Sequence, residues 1–403
     1  MKGNVRKRSI WLLFLSFMLV TISLTKTSPT HEEVVNILRI AIGGVAILFF
    51  ITDVIFTVLN RYISRTRFFV LSVGFFLLLY GIVGSVAFGG FSYFVENPEL
   101  LAIISLSIVF LWASSAVGGE LSFRDVDVFF RKWVPIYCFV AFIITVGSGG
   151  FSIAFPPKFI FNDAAIDSYS QGISKVYMIG ALLTLISFTK YNKKISLVFS
   201  VFFLLLSFLG GARGDFGIGF ILYSFIVMVY NKKLGAISLL LAVVVSSLSF
   251  MSMSELSQDF YIINRFMQLD SSNLGQRDVL AGNALTLLSE NTVCVFTGCG
   301  FNAFQYFWGY RVGLYPHNVM IEAAITFGLP LAALLVCAYI YCLFKSFLNG
   351  KLLNGFTIIG IYLVAIGMKS GTIIDLTLVS FVLNMIVTTL AMPKPVIATQ
   401  SVN

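Results

Sequence analysis

The chain has 403 residues, 58% of them apolar and only 11% charged, with a mean hydropathy of +0.94. Charged residues make up roughly a quarter of an ordinary soluble domain, so a soluble globular protein is excluded. The formal charge of +9 does not point to nucleic acid, because the lysines and arginines gather in short loops that alternate along the chain, the positive-inside pattern of a membrane protein with anionic lipid headgroups as partner.

A span needs roughly 20 mainly apolar residues to cross the hydrocarbon core, and such runs recur from end to end. They are continuous rather than alternating, which is the pattern of helices and not of a β-barrel. Lys2, Arg6, Lys7 and Arg8 precede the first run, residues 10–24. No small-x-small cleavage site follows it, so it reads as a span and not a signal peptide. The second run is 35–59, followed by Arg61, Arg65 and Arg67; the third is 68–91, followed by a polar turn with Glu96 and Glu99. The fourth is 100–118, before Arg124, Arg131 and Lys132, and the fifth is 133–154. A polar segment, 156–171, leads into a sixth run that ends near Thr189, before Lys190, Lys193 and Lys194. The seventh (195–209) and eighth (216–230) meet at Gly210-Gly211-Ala212-Arg213-Gly214-Asp215. The ninth is 234–251, the tenth 317–344, the eleventh 356–368 and the twelfth 376–392.

The expectation is an all-α polytopic membrane protein of about 12 transmembrane helices, one integral membrane domain over residues 1–403. With both termini cytoplasmic, about 18 of the 27 lysines and arginines fall on the cytoplasmic side, and every cytoplasmic loop holds at least two. The one long polar excursion, 252–316, is then an extracytoplasmic, periplasmic loop between helices 9 and 10. No twofold repeat is visible.

That loop holds Arg277 at the head of an amphipathic stretch, with apolar positions 279, 280, 284, 285, 287 and 288 at helical spacing. It continues through Gly298-Cys299-Gly300-Phe301 and the aromatics Tyr306, Phe307, Trp308 and Tyr310, which suit either loop ordering or a sugar platform. Cys294 and Cys299 fit a disulfide in an oxidising compartment and fit a reduced pair equally. His317 stands between the turn and cap residues Pro316 and Asn318. A helix N-terminus there favours a neutral imidazole, able to take a proton from a hydroxyl. Arg213 sits in a glycine-rich break that leaves room for a ligand, and its guanidinium suits phosphate. The bland alternative is a surface arginine paired with Asp215. Arg39, Asp53, Lys175 and Lys369 are charges inside apolar runs, and Glu322 lies five residues past His317.

Three pieces in this order, the break at Arg213, the Arg277 helix running into Gly298-Cys299-Gly300-Phe301, and Pro316-His317-Asn318 with Glu322 and Gly328, resemble the bacterial O-antigen polymerase and O-antigen ligase superfamily. The resemblance covers most of the chain. It implies an enzyme of the bacterial inner membrane that transfers sugars carried on undecaprenyl diphosphate at the periplasmic face, with no cofactor, nucleotide sugar or metal. Arg213 and Arg277 would bind the diphosphate and stabilise it as leaving group. His317 would orient or deprotonate the acceptor hydroxyl, and Asp215, Asn318 and Glu322 would contact substrate. The partners implied are the undecaprenyl-diphosphate-linked oligosaccharide and a chain-length regulator protein. The polymerase is the favoured member, the ligase the alternative. A lipid-linked oligosaccharide flippase is the competing class; it would concentrate polar groups along a central path.

Overall fold

A computed structural model describes residues 2–22, 25–59, 63–89, 98–117, 121–154, 157–160, 170–237, 240, 277–310, 315–316, 318–348 and 355–370. These residues are mostly helical. The first part holds α1 (Lys2–Ile22), α2 (Pro29–Leu59), α3 (Arg65–Gly89), α4 (Pro98–Ser115) and α5 (Phe123–Gly147). A two-residue antiparallel hairpin, β1 (Phe151–Ser152) and β2 (Lys158–Phe159), leads to α6 (Gln171–Tyr191), α7 (Lys194–Leu209) and α8 (Arg213–Tyr230). Then come α9 (Arg277–Glu290), α10 (Thr292–Thr297), α11 (Ala303–Trp308), α12 (Val319–Phe327), α13 (Leu329–Leu348) and α14 (Gly355–Ser370). Residues 232–237 are also helical. The expected twelfth span lies outside the described residues.

Among the described residues four helices, α2, α3, α5 and α6, are long and apolar enough to cross a membrane, and α7, α8, α13 and α14 are shorter and apolar. Their outer surface is apolar too: Ile40 and Leu59 on α2 are 76% and 77% exposed, and Phe68 on α3 is 65% exposed. Such a surface is stable against lipid and not against water.

The bundle is built around α6. Ser170 caps it by accepting from Ile173 N at 3.1 Å, and Asn192 ends it in a left-handed turn. Nearly every residue from Gly172 to Ile186 is buried, as expected of a helix apolar on all faces. It packs against α5, α7, α8 and α14. Two serines tie it to α7 reciprocally: Ser174 Oγ donates to Ser207 O at 2.9 Å and Ser207 Oγ donates to Ser174 O at 2.8 Å. Small residues at such contacts let helices approach closely, and their hydroxyls find carbonyl partners that lipid does not offer.

Two differences from the expected spans have physical causes. The fifth helix begins at Phe123, ten residues before the apolar run, because Asp127 pairs with Arg131 at 2.6 Å and brings both charges inside. The tenth run is broken: Asn318 starts α12, Gly328 stops it with φ +80, and α13 follows.

One face of the bundle is fastened by buried charge. Asp53 of α2 accepts from Arg67 Nη2 and Trp112 Nε1, each at 2.9 Å, and from Ser9 Oγ at 3.3 Å. The Arg67 guanidinium lies 4.4 Å over the Trp112 ring, and its Nε donates to Ser115 Oγ at 3.3 Å. Arg67 reads as a loop residue in the sequence and is fully buried in the first turn of α3. The deep charge at Asp53 thus has its partner, and the starts of α1 and α3 join the far ends of α2 and α4. On the same plan Asp127 accepts from Gly355 N at 2.9 Å, and Arg131 donates to Tyr191 Oη at 3.3 Å. That cluster joins the starts of α5 and α14 to the end of α6.

Candidate functional site

The other face gathers the start of α6, the end of α7, the start of α8 and the end of α14. Its centre is the Gly210–Asp215 break. Gly210 ends α7, Gly211 turns with φ +74, and Arg213 is the first residue of α8. The break is stapled to α6: Ser170 N donates to Gly210 O at 3.0 Å and Ala212 N donates to Ser174 Oγ at 3.3 Å. A side chain at Gly210 would strike Ser174, and one at Gly214 would strike Lys369 of α14. Two of the glycines therefore make room for neighbouring helices. The Arg213 side chain lies outside the described residues.

Asp215 is fully buried in the first turn of α8. Its Oδ1 accepts from Lys369 Nζ at 2.9 Å, and its carbonyl accepts from Tyr362 Oη at 3.3 Å. The bland expectation joined Asp215 to Arg213; its partner among the described residues is Lys369. That pairing spans 154 positions, and only the oddity of a lysine inside an apolar run hinted at it.

The second half of the face is a cap made by residues 277–310. The predicted amphipathic stretch is α9, and Leu280, Ala284 and Leu287 turn inward to a cluster with Cys294, Cys299, Phe304 and Ile325. Asn283 Nδ2 donates to Tyr310 Oη at 2.8 Å, and Trp308 Nε1 donates to Asn283 O at 3.1 Å. Phe301 and Phe304 are buried. These aromatics order the cap; among its described residues Phe296, at 70%, and Tyr306, at 45%, are the more exposed aromatics.

The turn at 297–301 fastens the cap to two helices. Cys299 N donates to Ile325 O at 2.7 Å and Gly300 N to Thr326 O at 3.1 Å, at the end of α12. Phe301 N donates to Gly81 O at 3.3 Å, Ser85 Oγ donates to Phe301 O at 2.8 Å, and Tyr80 Oη donates to Thr297 O, all on α3. Cys294 and Cys299 are joined by a disulfide, closing this turn. Closing so short a loop is worth about 2 kcal/mol in the unfolded chain. Cys294→Ser is expected to lower stability by about that amount. The check is a lowered thermal midpoint, with amide exchange faster at Cys299 and Gly300.

α12 is the pivot of this face. It packs against α3, α9, α10, α11, α13 and α14. Asn318 caps it, accepting from Met320 N at 2.9 Å and Ile321 N at 3.3 Å, as its place in the sequence predicts. Glu322 is buried within it. His317, which precedes the cap residue, lies outside the described residues, as does the Arg277 side chain; the backbone of Arg277 begins α9. The three elements are nonetheless linked. α12 touches α9, which starts at Arg277, and α14, whose Lys369 holds Asp215 two residues beyond Arg213. Among the described residues no three His, Cys, Asp or Glu side chains come together to hold a metal ion. No protein-family model matches this chain, and no curated protein matches it.

Proposed function

We propose that this protein is an O-antigen polymerase of the bacterial inner membrane, with about twelve spans, both termini cytoplasmic and the Arg213 face periplasmic. It joins undecaprenyl-diphosphate-linked repeat units. The observation that supports this reading best is the linkage through α12, which packs against the helix that starts at Arg277 and against the helix that reaches Asp215 beside Arg213. The helix that starts at Arg277 is thus joined to α12 directly, and the helix that starts at Arg213 is joined to it through α14.

The chemistry needs little more. The acceptor sugar's hydroxyl oxygen attacks the donor's anomeric carbon and forms the new glycosidic bond. The bond from that carbon to the diphosphate oxygen breaks, and undecaprenyl diphosphate leaves with the electron pair. His317 takes the hydroxyl proton. Arg213 and Arg277 neutralise the charge that grows on the diphosphate. Positioning is the larger task, since the leaving group is already good. A chain-length regulator protein sets how often the cycle repeats.

The test is the lipopolysaccharide pattern of a strain lacking the gene. Core carrying a single repeat unit, with the ladder lost, supports the polymerase. Bare core with polymer held on the lipid carrier assigns the ligase instead, and an unchanged ladder overturns both. Re-expressed Arg213→Ala and His317→Ala are each expected to cut polymer formation by about a hundredfold or more, at wild-type levels in the membrane. Normal ladders from both would remove these site assignments.

A further inference from the structure

Lys369 ends α14 on the face where α8 begins. Its ammonium is 2.9 Å from Asp215 Oδ1, with 27% of the lysine side chain exposed and the aspartate at 0%. The carboxylate therefore anchors the ammonium from the buried side. A lysine has three N–H donors, and among the described residues Asp215 takes one. Gly214 completes the arrangement: a side chain there would collide with Lys369 Cδ, Cε and Nζ. The residue next to Arg213 is thus bare so that this ammonium can lie against the start of α8. A cation at a helix C-terminus is favourable in itself, and a buried carboxylate needs a counter-charge. Neither need requires a lysine side chain that stays 27% exposed and lies against Gly214, in the first turn of α8.

We propose that Lys369 is a third cation of the diphosphate site, with Asp215 as the residue that positions it. This rests on the glycosyl-transfer reading of the same face, and it moves Asp215 from substrate contact to support. A lysine meets phosphate as a point charge, complementing the bidentate arginines. As the bond from the anomeric carbon to the diphosphate oxygen breaks, the added negative charge falls on phosphate oxygens within its reach.

The experiment uses the purified full chain with undecaprenyl-diphosphate-linked repeat unit as substrate, and with undecaprenyl diphosphate and undecaprenol as binding probes. Lys369→Met is expected to lower kcat/KM by about a hundredfold. It should weaken undecaprenyl diphosphate and leave undecaprenol unchanged. Lys369→Arg should recover part of the loss. Asp215→Asn, which keeps the cation and loses its anchor, should cost about tenfold. The doubly neutral variant Lys369→Met with Asp215→Asn carries no orphaned buried charge, and it should stay as inactive as Lys369→Met. Recovery of the double variant to wild-type turnover would overturn the proposal, because the pair would then serve only to silence a buried carboxylate. Full activity of Lys369→Met would overturn it too. If Arg213→Ala is inactive in that same assay, the glycosyl-transfer reading survives such a result. If the wild type itself leaves the substrate untouched, both fall.

Discussion

Gly300→Ala is expected to unseat the cap and destabilise the protein by about 4 kcal/mol, with transfer lost in parallel. Two costs add. Gly300 sits at φ +86, a region where side chains other than glycine are strained. A Cβ there would also lie 2.5 Å from Gly81 O and 2.5 Å from the Gly84 carbonyl carbon. The backbone of α3 cannot withdraw, because Phe301 N and Ser85 Oγ bind the same stretch to the turn. Gly282 is the control. It lies inside α9 with nothing within 4 Å of a built Cβ, so Gly282→Ala should be neutral or stabilising by up to about 1 kcal/mol. Thermal midpoints of the two variants in detergent measure the difference. Equal midpoints would mean that the turn does not fasten the cap.

Arg67→Met is expected to cost about 3–5 kcal/mol, the range for breaking a buried ion pair from one side. It strands Asp53, which is 1% exposed and, among the described residues, keeps Trp112 Nε1 and Ser9 Oγ as donors. The guanidinium's stacking on Trp112 is lost as well. Arg67→Met combined with Asp53→Leu removes both charges and should recover most of the loss, as apolar replacements of buried pairs often do. Lys26→Ala removes an ion pair that is 34% and 38% exposed and should cost less than about 1 kcal/mol. Chemical denaturation in mixed micelles ranks the three. If Arg67→Met matches Lys26→Ala, the cluster does not fasten the helices.

The sequence makes the helical spans legible wherever apolar residues run unbroken, as in α2, α3 and α6. It also exposes α9, whose inward residues recur at helical spacing, and the Asn318 cap. What it hides is set by distant partners. Hydropathy reads Arg124, Arg131 and Lys132 as a loop, because it cannot see Asp127 and Tyr191 closing on Arg131. It reads 317–344 as one helix, because a single glycine barely lowers an apolar average. Gly328 is needed there because Phe296 O and Gly298 N press against it. The glycines around Arg213 look like space for a ligand. Their occupants, Ser174 and Lys369, come from helices that nothing local points to. At the candidate site the order of motifs was visible, and the pivoting role of α12 emerged only from the packing.

Polymerase activity is tested most directly by giving the purified protein a single undecaprenyl-diphosphate-linked repeat unit and following chain length. The expected result is a ladder of lipid-linked products, with one undecaprenyl diphosphate released per bond formed, and no ladder from His317→Ala. Repeat units that stay single, with no undecaprenyl diphosphate released, would contradict it.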